Sequence, residues 1–548
     1  MSFVLYIWPH YKYNGWVTIA NVDVTMETVK IYDTTLRDGM QAEGISFSLA
    51  DKLLIVKRLD EFGLDYIEGG FPLSNPKEAE FFEQVRGMEL KNAKVAAFGS
   101  TRRTDMKVGD DLGIRALLDC GTPVITLVGK IWDMHVTNVL RCSLDENLTI
   151  CSESVEFIKG KGREVIFDAE HFFDGYKENP EYAMKVLGAV AEAGADVLVL
   201  CETNGGTLPN EVYDITKKVC TEFIGACIGI HTHNDCDCAA AGSLIAVSAG
   251  ARHVQGTING LGERAGNANL CTIIPSLVFK MGFDVANRDR LKSLAELSRY
   301  VFEIANLAPV MNMPYVGQSA FAHKGGMHID ALRKNKRTYE HIDPELVGNK
   351  RRLLMSELSG SSSVLAKLEN KKLAGDKAFA RKILRKVQDL ENEGYQFEAA
   401  EASFDILVKK VMGTYKPSFD LQKYHVNVER DTAGKIVTEA TVKLKVGGAS
   451  EHIVAEGDGP VNALDNALRK SLERFYPNIK DMHLIDYKVR VVNARAGTAA
   501  RVRVIIESRD ADSLWGTVGV SENIIDASWE ALVDSVEYKL LKDAEKTA

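Results

Sequence analysis

Residues 164–202 read EVIFDAEHFFDGYKENPEYAMKVLGAVAEAGADVLVLCE, and this stretch decides the fold class. A β-branched run (EVIFDAEH, 164–171) gives way to an amphipathic segment (PEYAMKVLGAVAEAG, 180–194) and then to a second apolar run (ADVLVLCE, 195–202). Pro180 near the start and Gly194 at the end are the residues that open and close helices. Strand, helix, strand, with apolar rather than alternating strands, implies parallel strands covered by helices.

The alternation extends in both directions. Upstream lie VKIYDTTL (29–36), LDYIEGGF (64–71), AKVAAFGS (93–100) and TPVITLVG (122–129); downstream lie CIGIHTHN (227–234) and RHVQGTIN (252–259). Between the first two, LADKLLIVKRLDEFG (49–63) repeats Leu53, Val56, Leu59 and Phe62 at helical spacing. Eight such units in about 250 residues fit a (β/α)8 barrel. A doubly wound open sheet would use the same elements. Polar residues end strands one, two, five, six, seven and eight, and only a closed barrel brings all of those to one mouth. The expected fold is therefore α/β, a TIM barrel.

The alternation stops after residue 283. The expected organisation is an N-terminal extension at 1–25, the barrel at 26–283, a mostly helical linker subdomain at 284–414 and an α+β domain at 415–548. SELSGSSSV (356–364) has the composition of a connector. The last domain shows strands KYHVNVER (423–430) and EATVKLKV (439–446), a helix at 460–474, YKVRVVNA, RVRVIIES and a final helix near 525–542.

Composition narrows the function classes. The 548 residues are 45% hydrophobic and 26% charged with a net charge of −9, which suits a globular protein and gives no nucleic-acid footprint. No apolar run reaches the length of a membrane span. An odd number of cysteines, nine, without framework spacing fits a reducing cytoplasm.

GIHTHND (229–235) is the sharpest chemical signal. His231 and His233 lie two apart at a strand end, so both side chains fall on one face. Two imidazoles there suit a metal, or a hydrogen-bonded histidine pair. Asp38, just past strand one, would complete a His2Asp set with open positions for a divalent ion such as Mn2+, Mg2+, Zn2+ or Co2+; its alternative role is a helix N-cap. Arg37 would point a permanent cation into the mouth, where Glu68 could hold it, unless that pair is a plain salt bridge. Cys236 and Cys238 read as small packing residues opening a helix. GLGERAGNANL (260–270) has glycines spaced GxGxxxG, so it is no dinucleotide fingerprint. A tight loop placing Asn267 near the metal fits it better.

DTTLRDGMQAEG (33–44), YIEGGFP (66–72), GIHTHND and GLGERAGNANL, in this order on a barrel, resemble the 2-isopropylmalate, homocitrate and citramalate synthase family, relatives of the hydroxymethylglutaryl-CoA lyases. The resemblance runs from about residue 28 to 542, and FDAEHFFDGYKENPEYA (167–183) looks most like the citramalate branch. It implies an acyltransferase performing a metal-dependent Claisen condensation of acetyl-CoA with a 2-oxo acid, pyruvate in that branch, then hydrolysing the thioester. The product would feed isoleucine synthesis. Isopropylmalate synthesis for leucine, carbon–carbon cleavage by a lyase, and a catalytically silent amino-acid sensor are the alternatives.

Position by position, the resemblance makes Asp38, His231 and His233 metal ligands, with Asn267 a weaker fourth. Arg37 would polarise the 2-oxo group, Glu68 orient that arginine, and Thr203 bind the substrate carboxylate. Glu170 would serve the acetyl-CoA half of the site. His328, in GGMHIDAL, and Tyr339, in TYEHIDP, would form an acid–base pair acting on the partner subunit's site in a homodimer. The C-terminal domain, with NARAGTAARVRVIIES (493–508), would bind an amino-acid feedback inhibitor.

Overall fold

A computed structural model of the chain describes residues 27–285, 288–354, 377–430, 432, 434–492 and 500–547. The expected extension at 1–25, the connector at 356–364 and the start of NARAGTAARVRVIIES lie outside the described residues.

All eight expected barrel strands form: β1 (Lys30–Asp33), β2 (Tyr66–Gly70), β3 (Lys94–Ser100), β4 (Val124–Lys130), β5 (Glu164–Glu170), β6 (Val197–Glu202), β7 (Cys227–Thr232) and β8 (His253–Gly256). They close in sequence order, all parallel, and β8 returns to β1 with Lys30 opposite His253 and Asp33 opposite Gly256. The open sheet is thereby excluded. Strand residues alternate between the interior and the helix-covered outside. Tyr32, Tyr66, Ala96, Val124, Ile166, Val197, Val199 and Cys201 pack as one cluster, and the His253 ring packs tilted against the two tyrosines. Toward the strands' C-terminal ends, buried polar side chains replace this filling: Glu68, Thr126, Asp168, His231 and Gln255. The interior is thus apolar at the base and polar at the mouth, where active sites of this architecture sit.

The helix Leu49–Phe62 starts at a capping box between Ser48 and Asp51 and stops at Gly63, whose φ of 90° is left-handed. It carries a lysine, Lys52, that is fully buried. Its Nζ donates to Gly69 O at 2.6 Å and to both oxygens of Glu78 at 2.7 Å. The two-glycine end of β2 makes room for this pair, since a Cβ on Gly70 would lie 2.0 Å from Glu78 Oε2. Buried ion pairs contribute little net stability but are costly to break from one side. Lys52→Met alone is expected to cost about 3–5 kcal/mol in denaturant unfolding, whereas Lys52→Met with Glu78→Leu should recover most of that loss. Equal losses in the two variants would show that the ion pair itself stabilises the fold.

The described residues divide into two compact units, one running to Ala320 and including Ile342–Lys350, the other made of Phe321–His341 and the described residues from Arg351 on. The expected break at 283/284 falls inside the first unit and that at 414/415 inside the second. The described residues 288–354 are less helical than expected. Among the described residues, helices Leu294–Ile304 and Gly326–Lys334 are separated by a long irregular segment. Pro309, Pro314, Gly317, Gly325 and Gly326 punctuate the chain there, removing donors and releasing φ.

In the second unit, β9 (Ala322–His323) and β10 (Arg352–Leu353) pair in parallel. Two antiparallel three-stranded sheets follow. The first is β11 (Asp420–Arg430), β12 (Ile436–Val446) and β13 (Ala449–Gly457); the second is β14 (His483–Val491), β15 (Val502–Arg509) and β16 (Leu514–Ser521). Each is followed by a helix, Pro460–Leu472 and Ile524–Thr547, and both helices and both sheets contribute to one core that includes Val442, Leu468, Ile506, Trp515 and Leu532. The sequence reading found the α+β class but not β13 or β16, whose charged SEH start and glycine-broken WGTVGV blur the strand pattern.

Candidate active site

The turn after β1 is folded by its own hydroxyls. Gly39 N–H donates to Thr34 O at 3.0 Å and Asp38 N–H to Thr34 Oγ1 at 3.2 Å. Asp38 precedes a three-residue 3-10 turn, but its side chain makes no capping bond, which removes the N-cap alternative. His231 is an inward position of β7, and His233 keeps the same side one residue past the strand's end. His233 is further fixed by a bridge to Asn267. The glycine loop makes that bridge possible. Gly266 has φ of 94°, and a Cβ there would lie 2.2 Å from Gly260 O, so only glycine lets the chain turn back tightly enough.

These segments bring three ligand-type atoms together. Asp38 Oδ2 lies 3.5 Å from His231 Nε2 and 3.9 Å from His233 Nε2, and the two Nε2 atoms are 3.3 Å apart. Among the described residues this is a group able to hold a metal ion. Its electrostatics suit one. Burial, with the neighbouring imidazole next, lowers the His233 pKa to about 4, and burial also lowers that of His231. Both rings are therefore neutral at pH 7, with lone pairs to give. Burial raises the Asp38 pKa, but its charged surroundings, Arg37 foremost, outweigh that and hold the carboxyl below its ordinary value. Asp38 Oδ1 and Asn267 Oδ1 are buried without hydrogen-bond partners. Orphaned buried oxygens are costly, and a divalent cation would satisfy them.

Arg37 sits beside the triad in a fixed pose. Its Nε donates to Glu68 Oε2 at 2.7 Å and its Nη1 to Asp38 Oδ2 at 3.1 Å, and its guanidinium lies 4.0 Å from the centre of the Phe98 ring. Glu68 is itself held by Thr34 and by Tyr32 Oη, the latter at 2.8 Å. The Arg37–Glu68 contact is thus part of a polar layer continuous with the triad. It is more than an isolated salt bridge.

Sequence reasoning missed two members of that layer, Asp168 and Gln255. Gln255 Oε1 lies 2.9 Å from His231 Nδ1, and its Nε2 donates to Asp168 Oδ1 at 2.9 Å. Burial and then the charge of Glu68 push the Asp168 carboxyl up to about 8. Period-two spacing was the available signal, because Asp168 stands two residues before Glu170 and Gln255 two after His253.

The remaining expected residues have other partners. Glu170 ends β5 and pairs with Lys130. Thr203, just past β6, accepts from His171 N–H at 2.9 Å. His328 and Tyr339 lie in the second unit, both exposed, with rings stacked at 3.8 Å between centroids. Cys236 and Cys238 do not act as paired packing residues. The backbone turns at Asp237, φ 55°, and the helix begins only at Ala239, leaving Cys236 exposed and Cys238 half-buried.

Comparison with known proteins agrees with this layout. The HMGL-like family matches residues 28–301, the homocitrate synthase post-HMGL domain-like family residues 315–395, and the LeuA allosteric (dimerisation) domain residues 398–540. An (R)-citramalate synthase of Aquifex aeolicus is 56% identical over 523 residues, 95% of this chain and 99% of that protein. One from Geobacter sulfurreducens is 54% identical over 523 residues, with the same coverage of both chains. A probable 2-isopropylmalate synthase of Methanopyrus kandleri is 33% identical over 510 residues, 93% of this chain and 98% of that protein. The gap in identity disfavours the isopropylmalate alternative. An eight-stranded closed barrel, a clustered Asp–His–His triad at its mouth and full-length similarity at this level lead to one assignment: the chain belongs to the (R)-citramalate synthase family, acyltransferases built on an HMGL-like barrel.

Proposed function

We propose that this chain condenses acetyl-CoA with pyruvate and hydrolyses the resulting thioester, releasing (R)-citramalate and CoA for isoleucine synthesis. The observation that carries the reading is the convergence of Asp38, His231, His233 and Arg37 in one buried, polar mouth. In this reading Asp38, His231, His233 and, more weakly, Asn267 hold a divalent cation, with Mn2+, Mg2+, Zn2+ and Co2+ all compatible with nitrogen and oxygen donors. When bound, the ion supplies Lewis-acid polarisation of the 2-oxo acid.

The chain's own residues do the rest. Thr203 binds the substrate carboxylate. Arg37, oriented by Glu68, donates to the ketone oxygen, where negative charge grows as the new carbon–carbon bond forms. His328, with Tyr339 stacked on it, takes the proton from the acetyl methyl group, and Glu170 serves the acetyl-CoA side of the site. The methyl carbon's electron pair then attacks the ketone carbon, and the ketone's π pair moves to oxygen, which is protonated. Water finally displaces CoA as its thiol. Following thiol release with pyruvate, 2-oxobutyrate, 2-oxoisovalerate and 2-oxoglutarate, each before and after chelation and Mn2+ addition, tests this. Metal-dependent turnover greatest with pyruvate is expected. A preference for 2-oxoisovalerate would move the assignment to isopropylmalate synthesis.

We also propose a homodimer in which the His328–Tyr339 pair serves the barrel of a second copy. Mixing inactive Arg37→Ala and His328→Ala chains under exchange conditions should then restore a fraction of parental activity. Complete silence of the mixture, with heterodimers present, would place the pair on its own chain's site. Isoleucine is the proposed inhibitor through the C-terminal domain. Activity unmoved by millimolar isoleucine would end that reading.

A further inference from the structure

We infer that Gln255, itself oriented by Asp168, is a positioning residue that sets the tautomer of His231 so that Nε2 is free to bind a metal. The inference rests on the metal-site reading above. A histidine can ligate through Nε2 only when the ring proton is on Nδ1, and the partner of the other nitrogen decides this. In the observed geometry Gln255 presents its amide oxygen 2.9 Å from His231 Nδ1. An oxygen can only accept, so it draws the proton to Nδ1 and leaves Nε2 bare toward Asp38 and His233.

An amide could also face His231 with its nitrogen, which would drive the proton to Nε2 and abolish ligation. Asp168 opposes that choice. Its Oδ1 accepts from the Gln255 nitrogen at 2.9 Å. Against an ionised carboxylate a flipped amide would set oxygen against oxygen, and in the observed orientation the carbonyl oxygen of a protonated carboxyl accepts as well. The relay joins inward positions of β5, β8 and β7, with Gln255 directly opposite His231 in the β7–β8 register. All three side chains are buried, so water does not compete for the bonds. His233 contrasts with this, since its Nδ1 is buried without a partner. The relay therefore acts on one imidazole of the two. Burying Asp168 carries a desolvation cost that an apolar residue would avoid, and orienting Gln255 is the return on it.

Calorimetric titration of the chelator-treated full chain with Mn2+ tests the relay, together with 15N NMR of the histidine ring nitrogens. Gln255→Met fills the same space but cannot accept, and should weaken Mn2+ binding about 10–100-fold, the usual effect of losing a partner behind a ligand. The double variant Asp168→Asn with Gln255→Glu reverses the donor and acceptor across the Asp168–Gln255 bond while keeping an acceptor on His231, and should restore near-parental binding. The metal-free parent should show His231 protonated on Nδ1. Parental Mn2+ affinity in Gln255→Met, or a parent spectrum with the proton on Nε2, would overturn the inference. Should the parent bind neither Mn2+ nor Zn2+, the metal-site reading falls, and the tautomer spectrum still decides the relay. Should Gln255→Met not fold, the parent spectrum and the double variant decide it.

Discussion

Asp38→Asn is expected to lower turnover at least about 1000-fold, because a lost Lewis-acid contribution of several kcal/mol costs a factor of ten for each 1.4 kcal/mol. Asparagine matches the shape of aspartate, so the turn held by Thr34 should survive and the effect should be electrostatic. Three neighbours depend on the charge being removed. Arg37 Nη1 lies 3.1 Å from Asp38 Oδ2, and both Nε2 atoms lie within 3.9 Å of it. Mn2+ affinity should therefore fall together with the rate. Parental thermal stability and an unchanged CoA-release rate at saturating Mn2+ would remove Asp38 from the ligand set.

The second large effect is at Arg37. Arg37→Lys keeps the charge but not the fork, and it should lower kcat by about 100- to 1000-fold, as the loss of one oxyanion donor does. The guanidinium reaches Glu68, Asp38 and the Phe98 face at once. An ammonium cannot span those contacts while also facing a substrate oxygen. Because the interaction strengthens only as charge develops, kcat should fall more than KM rises. Mn2+ affinity should change little, which separates this variant from Asp38→Asn. A variant that changes KM alone would make Arg37 a binding residue without a part in the chemical step.

Some features of the protein were legible in the chain itself. Strand and helix periods are local properties, so EVIFDAEH, PEYAMKVLGAVAEAG and ADVLVLCE announced their elements unaided, and eight such units announced a barrel. His231 and His233 were legible for the same reason: a two-residue spacing on a strand fixes their shared face before anything folds. Where periodicity was weak, the reading failed, as at β13 and β16 and in the proline- and glycine-punctuated stretch from 305 to 325.

Only the tertiary structure decided what surrounds those histidines. Closure of β8 on β1 sets Asp38 against a strand almost two hundred residues away, and the return of the glycine loop sets Asn267 beside His233. Asp168 and Gln255 looked like ordinary strand residues, because a buried polar side chain acquires its meaning from the partner across the barrel. The buried Lys52 was invisible for a related reason, since a lysine on an amphipathic helix ordinarily faces water. Local sequence fixes which atoms point inward along each strand, whereas hydrogen bonds between strands depend on closure and register, which no single segment contains.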